Sequence, residues 1–296
     1  MVGYTTLLRF NSCVTAPQHL DDDSIRPDHP AEVSFNESAG RGDLLYLTLH
    51  LDNGKECLFA VDTGAPITIL DKSLESSLGR PHGSIILSSS YGAGKVRWYR
   101  APILHLANSR LLTGDWVVTY DLKRIPTPHP VTGVLGMDSL RHYCLQLDFN
   151  ANKLRFLNPD RLGVENLGRA FPLTFSTGLV SVFVNENLFG VEGVRSQIDT
   201  GDYSEGGVAP DLFQRALDEQ KAVVTNRFKA TSSRMAREAF FPAITFGGEP
   251  YTGLRLWEYS GENMIGLRFL ARHLVTFNFP KRTMYLLRRT REDPER

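Results

Sequence analysis

Cysteine is scarce in this sequence. Only Cys13, Cys57 and Cys144 occur in 296 residues, and none belongs to a Cys-x-x-Cys pair. That argues against a disulfide scaffold and against a zinc site. The eight histidines are scattered without metal-ligand spacing, so no metal site is expected. Net charge is missing too, because 33 basic residues balance 33 acidic ones. With no basic stripe, nucleic acid is not an expected partner. No run approaches the about 18 consecutive apolar residues of a membrane span. No Gly-x-Gly-x-x-Gly opens a helix, which removes the dinucleotide loop. The opening "MVGYTTLLRFNSCVTAPQHLDDDS" is interrupted by Arg9 and Asn11 and makes a poor signal peptide. The compartment stays open between cytoplasm and export.

What is present is a motif used twice. "CLFAVDTGAPITILDKSL" runs from Cys57 to Leu74, and "VRSQIDTGDYSEGGVAPDLF" runs from Val194 to Phe213. A given tripeptide arises by chance in roughly one chain of this size in twenty. Two copies of Asp-Thr-Gly, each ending an apolar run, need a common cause. Residues 43–51, "DLLYLTLHL", alternate with Leu45, Leu47, Leu49 and Leu51 on one side, the pattern of a strand. Asn53-Gly54 predicts a tight hairpin with positive φ at both central residues. The return strand "ECLFAV" then carries the chain to Asp62. In the second half "LVSVFVN", residues 179–185, alternates Val180, Val182 and Val184 before the second motif.

The copies also agree downstream. Aligned on Gly136 and Gly266, "VLGMDSLRHYCLQLDFNANKLRF" and "MIGLRFLARHLVTFNFPKRTMYL" match Leu140 with Leu270, Asp148 with Asn278 and Phe149 with Phe279. A repeat of about 130 residues is too long for a solenoid and suits two homologous lobes. The expected organisation is a flexible leader at 1–32, an N-terminal lobe at 33–160, a linker at 161–168, a C-terminal lobe at 169–288 and a charged tail at 289–296. Asp148 and Asn278 read as turn residues, and His105 and His142 as structural histidines.

Strand, Asp-Thr-Gly, then a distant apolar-apolar-Gly opening a short helix, resembles the aspartic proteases of the pepsin and retropepsin clan. "VDTGAPITIL" is most similar to a retropepsin lobe, and "GMDSLRHYCLQLDF" is similar to bacterial retropepsin-type members. The two-lobed single chain is similar to pepsin instead. The resemblance implies a mostly-β fold of two homologous β-barrel-like lobes with a few short helices and an active-site cleft between them. It implies a monomeric endopeptidase acting on a peptide or protein substrate, with Asp62 and Asp199 as the catalytic pair and no metal or organic cofactor. Thr63, Gly64, Thr200 and Gly201 support that pair by position. A single lobe working as a homodimer is disfavoured, since both halves are already in one chain. The rival from another class is a non-catalytic peptide-binding or scaffold protein of the same fold.

Two further features follow from the resemblance. "SIILSSSYGAGKVRWY", residues 84–99, reads as two extended arms around Gly92-Ala93-Gly94. This is similar to the pepsin flap, with Tyr91 as flap tyrosine and Gly92 and Gly94 at the turn; a plain surface turn remains the alternative. The matching stretch "RFKATSSRMAREAFF" has no glycine and implies a weaker flap or none. The departure from the family lies after the second motif, where Asp202 stands in place of a small residue, in a loop that reads one residue longer than its counterpart. Pointing inward, Asp202 would raise the pKa values of the pair; pointing outward, it would meet water.

Overall fold

The alternation at residues 45–51 forms a strand because both of its sides find apolar cover. Leu45, Leu47, Leu49 and Leu51 enter the main core with Phe59. Leu44 and Tyr46 enter a second apolar cluster on the other side of the sheet, and Thr48 stays exposed. In this computed structural model, the described residues are 31–89, 92–125, 127–176, 181–188, 191–229 and 235–289.

The first lobe runs through β1 (Glu32–Ser34), β2 (Tyr46–Leu51), β3 (Glu56–Val61), β4 (Ile69–Asp71), β5 (Gly83–Ser89), β6 (Gly92–Arg100), β7 (Leu104–Leu106), β8 (Ser109–Arg110), β9 (Trp116–Tyr120), β10 (Gly133–Leu135), α1 (Met137–Leu140), β11 (Cys144–Asp148) and β12 (Lys153–Leu157). The second continues with β13 (Arg169–Pro172), β14 (Thr174–Phe175), β15 (Val182–Leu188), β16 (Val191–Asp199), β17 (Gly206–Val208), α2 (Pro210–Asp218), β18 (Val223–Lys229), β19 (Met235–Phe246), β20 (Glu249–Glu258), β21 (Asn263–Gly266), α3 (Leu267–Leu270), β22 (His273–Asn278) and β23 (Thr283–Arg288). None of the helices among the described residues is long and apolar enough to cross a membrane.

The duplication is visible strand by strand. The first lobe's sheet has the order β5-β6-β9-β4-β10-β3-β2-β7-β8, and the second lobe's has β14-β15-β16-β21-β17-β20-β19-β18. Read from opposite ends, the seven strands from β5 to β2 correspond one for one with those from β18 to β15. Of the Asn53-Gly54 pair only Gly54 has positive φ, at 78°. The Asn53 side chain instead accepts the Lys55 amide at 3.0 Å, so the turn closes with one left-handed residue rather than two.

A third sheet joins the lobes, in the order β1-β12-β11-β22-β23-β13. Its central pair is antiparallel, and Gln146 lies opposite Thr276. These two residues are equivalents in the duplication, separated by the same 130 positions as Gly136 and Gly266 (276 − 146 = 266 − 136). A residue paired with its own copy marks the approximate two-fold axis of the molecule. Gln146 Nε2 donates to Thr276 Oγ1 at 3.1 Å there, which satisfies two buried polar groups. Asp148 and Asn278 serve the turns that follow, each accepting backbone amides of its own hairpin. The main core is continuous across the lobes, from Phe35 and Phe149 to Phe171, Phe246 and Leu286.

Candidate active site

Each Asp-Thr-Gly loop is placed by a buried strand. β3 runs parallel to β10, and the Asp62 amide donates to the Leu135 carbonyl at 3.0 Å. β16 runs parallel to β21, with Asp199 opposite Gly266. The helices opened by Gly136 and Gly266 then hold the loops from behind. Met137 N donates to the Ala65 carbonyl at 2.8 Å, and Leu267 N donates to the Asp202 carbonyl at 2.7 Å. The distant apolar-apolar-Gly element is therefore the clamp of each loop.

The two loops meet tip to tip. Thr63 N donates to Thr200 Oγ1 and Thr200 N to Thr63 Oγ1, both at 3.0 Å. Each hydroxyl then donates across to the opposite strand, Thr63 to the Ile198 carbonyl and Thr200 to the Val61 carbonyl, both at 2.8 Å. Four reciprocal hydrogen bonds pair the amide and the hydroxyl of each threonine at this buried contact.

Glycine follows each threonine for a steric reason. A Cβ on Gly64 would stand 2.6 Å from the Asp199 carboxyl, and one on Gly201 would stand 2.5 Å from that of Asp62. Each carboxyl thus packs against the other loop's backbone, where a side chain has no room. Gly64 N and Ala65 N donate to Asp62 Oδ1 at 2.7 and 3.1 Å, and Gly201 N donates to Asp199 Oδ1 at 2.9 Å. Both carboxyl groups are fully buried. Desolvation raises the Asp62 pKa to about 6, above the usual carboxylate range, against the opposing hydrogen bonds of its own loop, that of the Gly64 amide first.

Asp202 occupies the place of Ala65 in the second loop and points inward. Its side chain is fully buried and turned onto Ser204, accepting the amide at 2.9 Å and the hydroxyl at 2.7 Å. Burial first, and then the charge of Asp199, push its pKa up to about 7. The extra residue of this loop is visible in the register. Ile69 pairs with Val134, and Gly207 pairs with Met264. Val134 and Met264 are equivalents, yet Ile69 lies seven residues beyond Asp62 and Gly207 eight beyond Asp199.

The flap expectation needs correction at the turn. β5 and β6 form the hairpin, but Ser89 pairs with Gly92 and Leu87 with Gly94. Both glycines therefore belong to the return strand, and Tyr91 lies outside the described residues. The second lobe has its own hairpin, β18 with β19, paired from Val223 to Lys229. Of the two alternatives expected here, a weaker flap or none, the second falls away, because β-branched and aromatic residues build that ladder without a glycine. His105 is not enclosed by apolar groups; its ring meets Asp52 at 2.8 Å on a partly exposed surface.

Two residues at the site were not singled out in the sequence. Asp138 is buried in α1 and accepts the Thr68 hydroxyl at 2.8 Å; desolvation raises its pKa to about 6. Thr68 Oγ1 also receives the Gly136 amide at 3.3 Å, so this pair ties the first loop to its clamp. An aspartate inside the apolar "VLGMDSL" was the available signal. The other is Tyr203, next to Asp202, whose surroundings no local pattern discloses.

No protein-family model and no curated protein matches the sequence. Among solved structures the chain is similar to basic 7S globulin from soybean, with a TM-score of 0.54 and 12% identity, over 87% of this chain and 94% of that one. A likeness at that identity shows fold alone. The fold is mostly β, with two lobes of equivalent strand order and a few short helices, and it is shared with that globulin.

Proposed function

We propose that this protein is an aspartic endopeptidase. The observation that carries the reading is the pair Asp62–Asp199, two buried carboxyl groups in symmetric loops that are cross-braced by Thr63 and Thr200. In this reading the ionised member of the pair takes a proton from a bound water, which attacks the scissile carbonyl of a peptide. The protonated member donates to the carbonyl oxygen, and then the pair returns a proton to the departing amine. Gly64 N and Gly201 N hold one oxygen of each carboxyl fixed, which leaves the other oxygens to act. The chemistry draws on these two side chains and water.

A second reading, a non-catalytic peptide-binding or scaffold protein, is favoured by one observation. Neither carboxyl is exposed, so cleavage requires a movement that opens the space between the lobes. The deciding experiment is incubation of the purified full chain with a fluorogenic peptide library from acid to neutral pH, with and without a statine-type transition-state mimic. Cleavage that the mimic and Asp62→Asn both abolish supports the peptidase. A folded protein that cleaves nothing at any pH, yet retains the mimic, is a binding protein.

A further inference from the structure

One side chain crosses from the second lobe into the first. Tyr203 is 5% exposed and belongs to an apolar cluster whose other members, among them Leu44, Tyr46, Ala65, Leu87, Val96 and Ile125, all come from the first lobe. Ala65 directly follows the first Asp-Thr-Gly, while Leu87 and Val96 stand on the two arms of the β5–β6 hairpin. The cluster is thus the wall between the Asp62 loop and that hairpin. The backbone of Tyr203 is anchored on the opposite side, since Asp202 and Ser204 on either flank are tied to α3 through Leu267 N and Arg268 N.

An extended peptide laid across a two-fold carboxyl pair sends successive side chains to opposite walls. One of them must face the first-lobe wall beside Asp62, where an aromatic ring of the protein itself now sits. The geometry points to Tyr203 as the residue that sets specificity at this wall: its ring fills the apolar recess, so the cleft accepts a small side chain there and turns away a large one. This rests on the peptidase reading for the path of the ligand, though not for its cleavage. The added residue in the second loop gives Tyr203 its reach. The first loop, one residue shorter, continues Ala65-Pro66-Ile67 and sends no aromatic the other way.

The test uses two statine-containing peptides that differ only in carrying Ala or Phe on the side chain next to the statine. Their binding to the full-length protein and to Tyr203→Ala and Tyr203→Leu is measured by titration calorimetry, with thermal melts to confirm folding. The wild type should prefer the Ala peptide. Tyr203→Ala should improve binding of the Phe peptide by about 10-fold or more, with little change for the Ala peptide, and Tyr203→Leu should fall between. Loosened packing alone would shift both peptides together. An unchanged Phe-to-Ala ratio in folded variants overturns the inference, as does failure of every protein to bind either peptide. Binding with the expected reversal but without cleavage of ordinary peptides leaves the inference standing and removes only the catalytic reading.

Discussion

Asparagine at position 62 or 199 keeps the size of the side chain and removes a carboxyl that the proposed mechanism needs to hold or take a proton. Each of Asp62→Asn and Asp199→Asn should abolish peptide cleavage, and the double variant should lose almost nothing more, because the pair acts as one unit. Steady-state kinetics on the three proteins checks this, and substantial activity in either single variant would sink the shared-proton mechanism. Asp202 makes a prediction of a different kind. A carboxyl held at about 7 in the folded chain, against about 4 when unfolded, binds its proton more tightly when folded. It stabilises the fold below pH ~4 and withdraws that contribution as pH rises through about 7. Asp202→Asn keeps a partner for Ser204 and removes the charge, so its melting temperature should gain on the wild type progressively across that window. Parallel melting curves would mean that no buried charge forms at this position. Because Asp202 is mostly neutral below its pKa, it leaves the acidic limb of activity to the pair. Once ionised it opposes loss of the pair's remaining proton, so Asp202→Asn should move only the basic limb, and downward. Asp62, Asp199 and the odd residue Asp202 were legible in the sequence because a motif repeats and one copy departs from it. Asp138 and Tyr203 were not, since their importance comes from neighbours about 70 to 160 residues away, which no local spacing encodes.

Strands were readable wherever one side of the chain alternates apolar and polar, as in Leu45 to Leu51 and Val182 to Val184. The choice of partner was not readable. "LQLDF" and "VTFNF" signal strands, but nothing local says that Cys144–Asp148 pairs with His273–Asn278 rather than staying within its own lobe. Whether the second lobe carried a hairpin was left open for a related reason: its stretch has no glycine to signal a turn, while the ladder itself rests on cross-strand side-chain pairing. At this scale the threonine brace is the element to test. Thr200→Val is nearly isosteric, yet it strands the Thr63 amide and the Val61 carbonyl, at a cost of about 1–3 kcal/mol for each buried group. Denaturant unfolding should show a loss of that size, and Thr63→Val should match it by symmetry. A variant as stable as the wild type would mean that water or a shifted backbone satisfies those groups.

For the whole molecule, the shared sheet means that the lobes are not independent bodies. Removing residues 161–296 would leave β11 as a bare edge and cut a core that runs through both halves. Long unpaired edges invite pairing with other chains. Residues 31–160 expressed alone should therefore self-associate or aggregate in gel filtration with light scattering, while the full chain should run as a monomer. A soluble, folded monomer of the isolated first lobe would overturn this view of the architecture.

The threonine brace also serves as a clock. The amide hydrogens of Thr63 and Thr200 are each bonded to the other lobe's hydroxyl, so neither can trade with solvent deuterium until the two loops part. A single opening event releases both. Their exchange rates should therefore coincide with one another, be slower than those of hairpin amides on β5 and β18, and accelerate together in either threonine-to-valine variant. Unequal protection of these two hydrogens would show that one loop opens without the other.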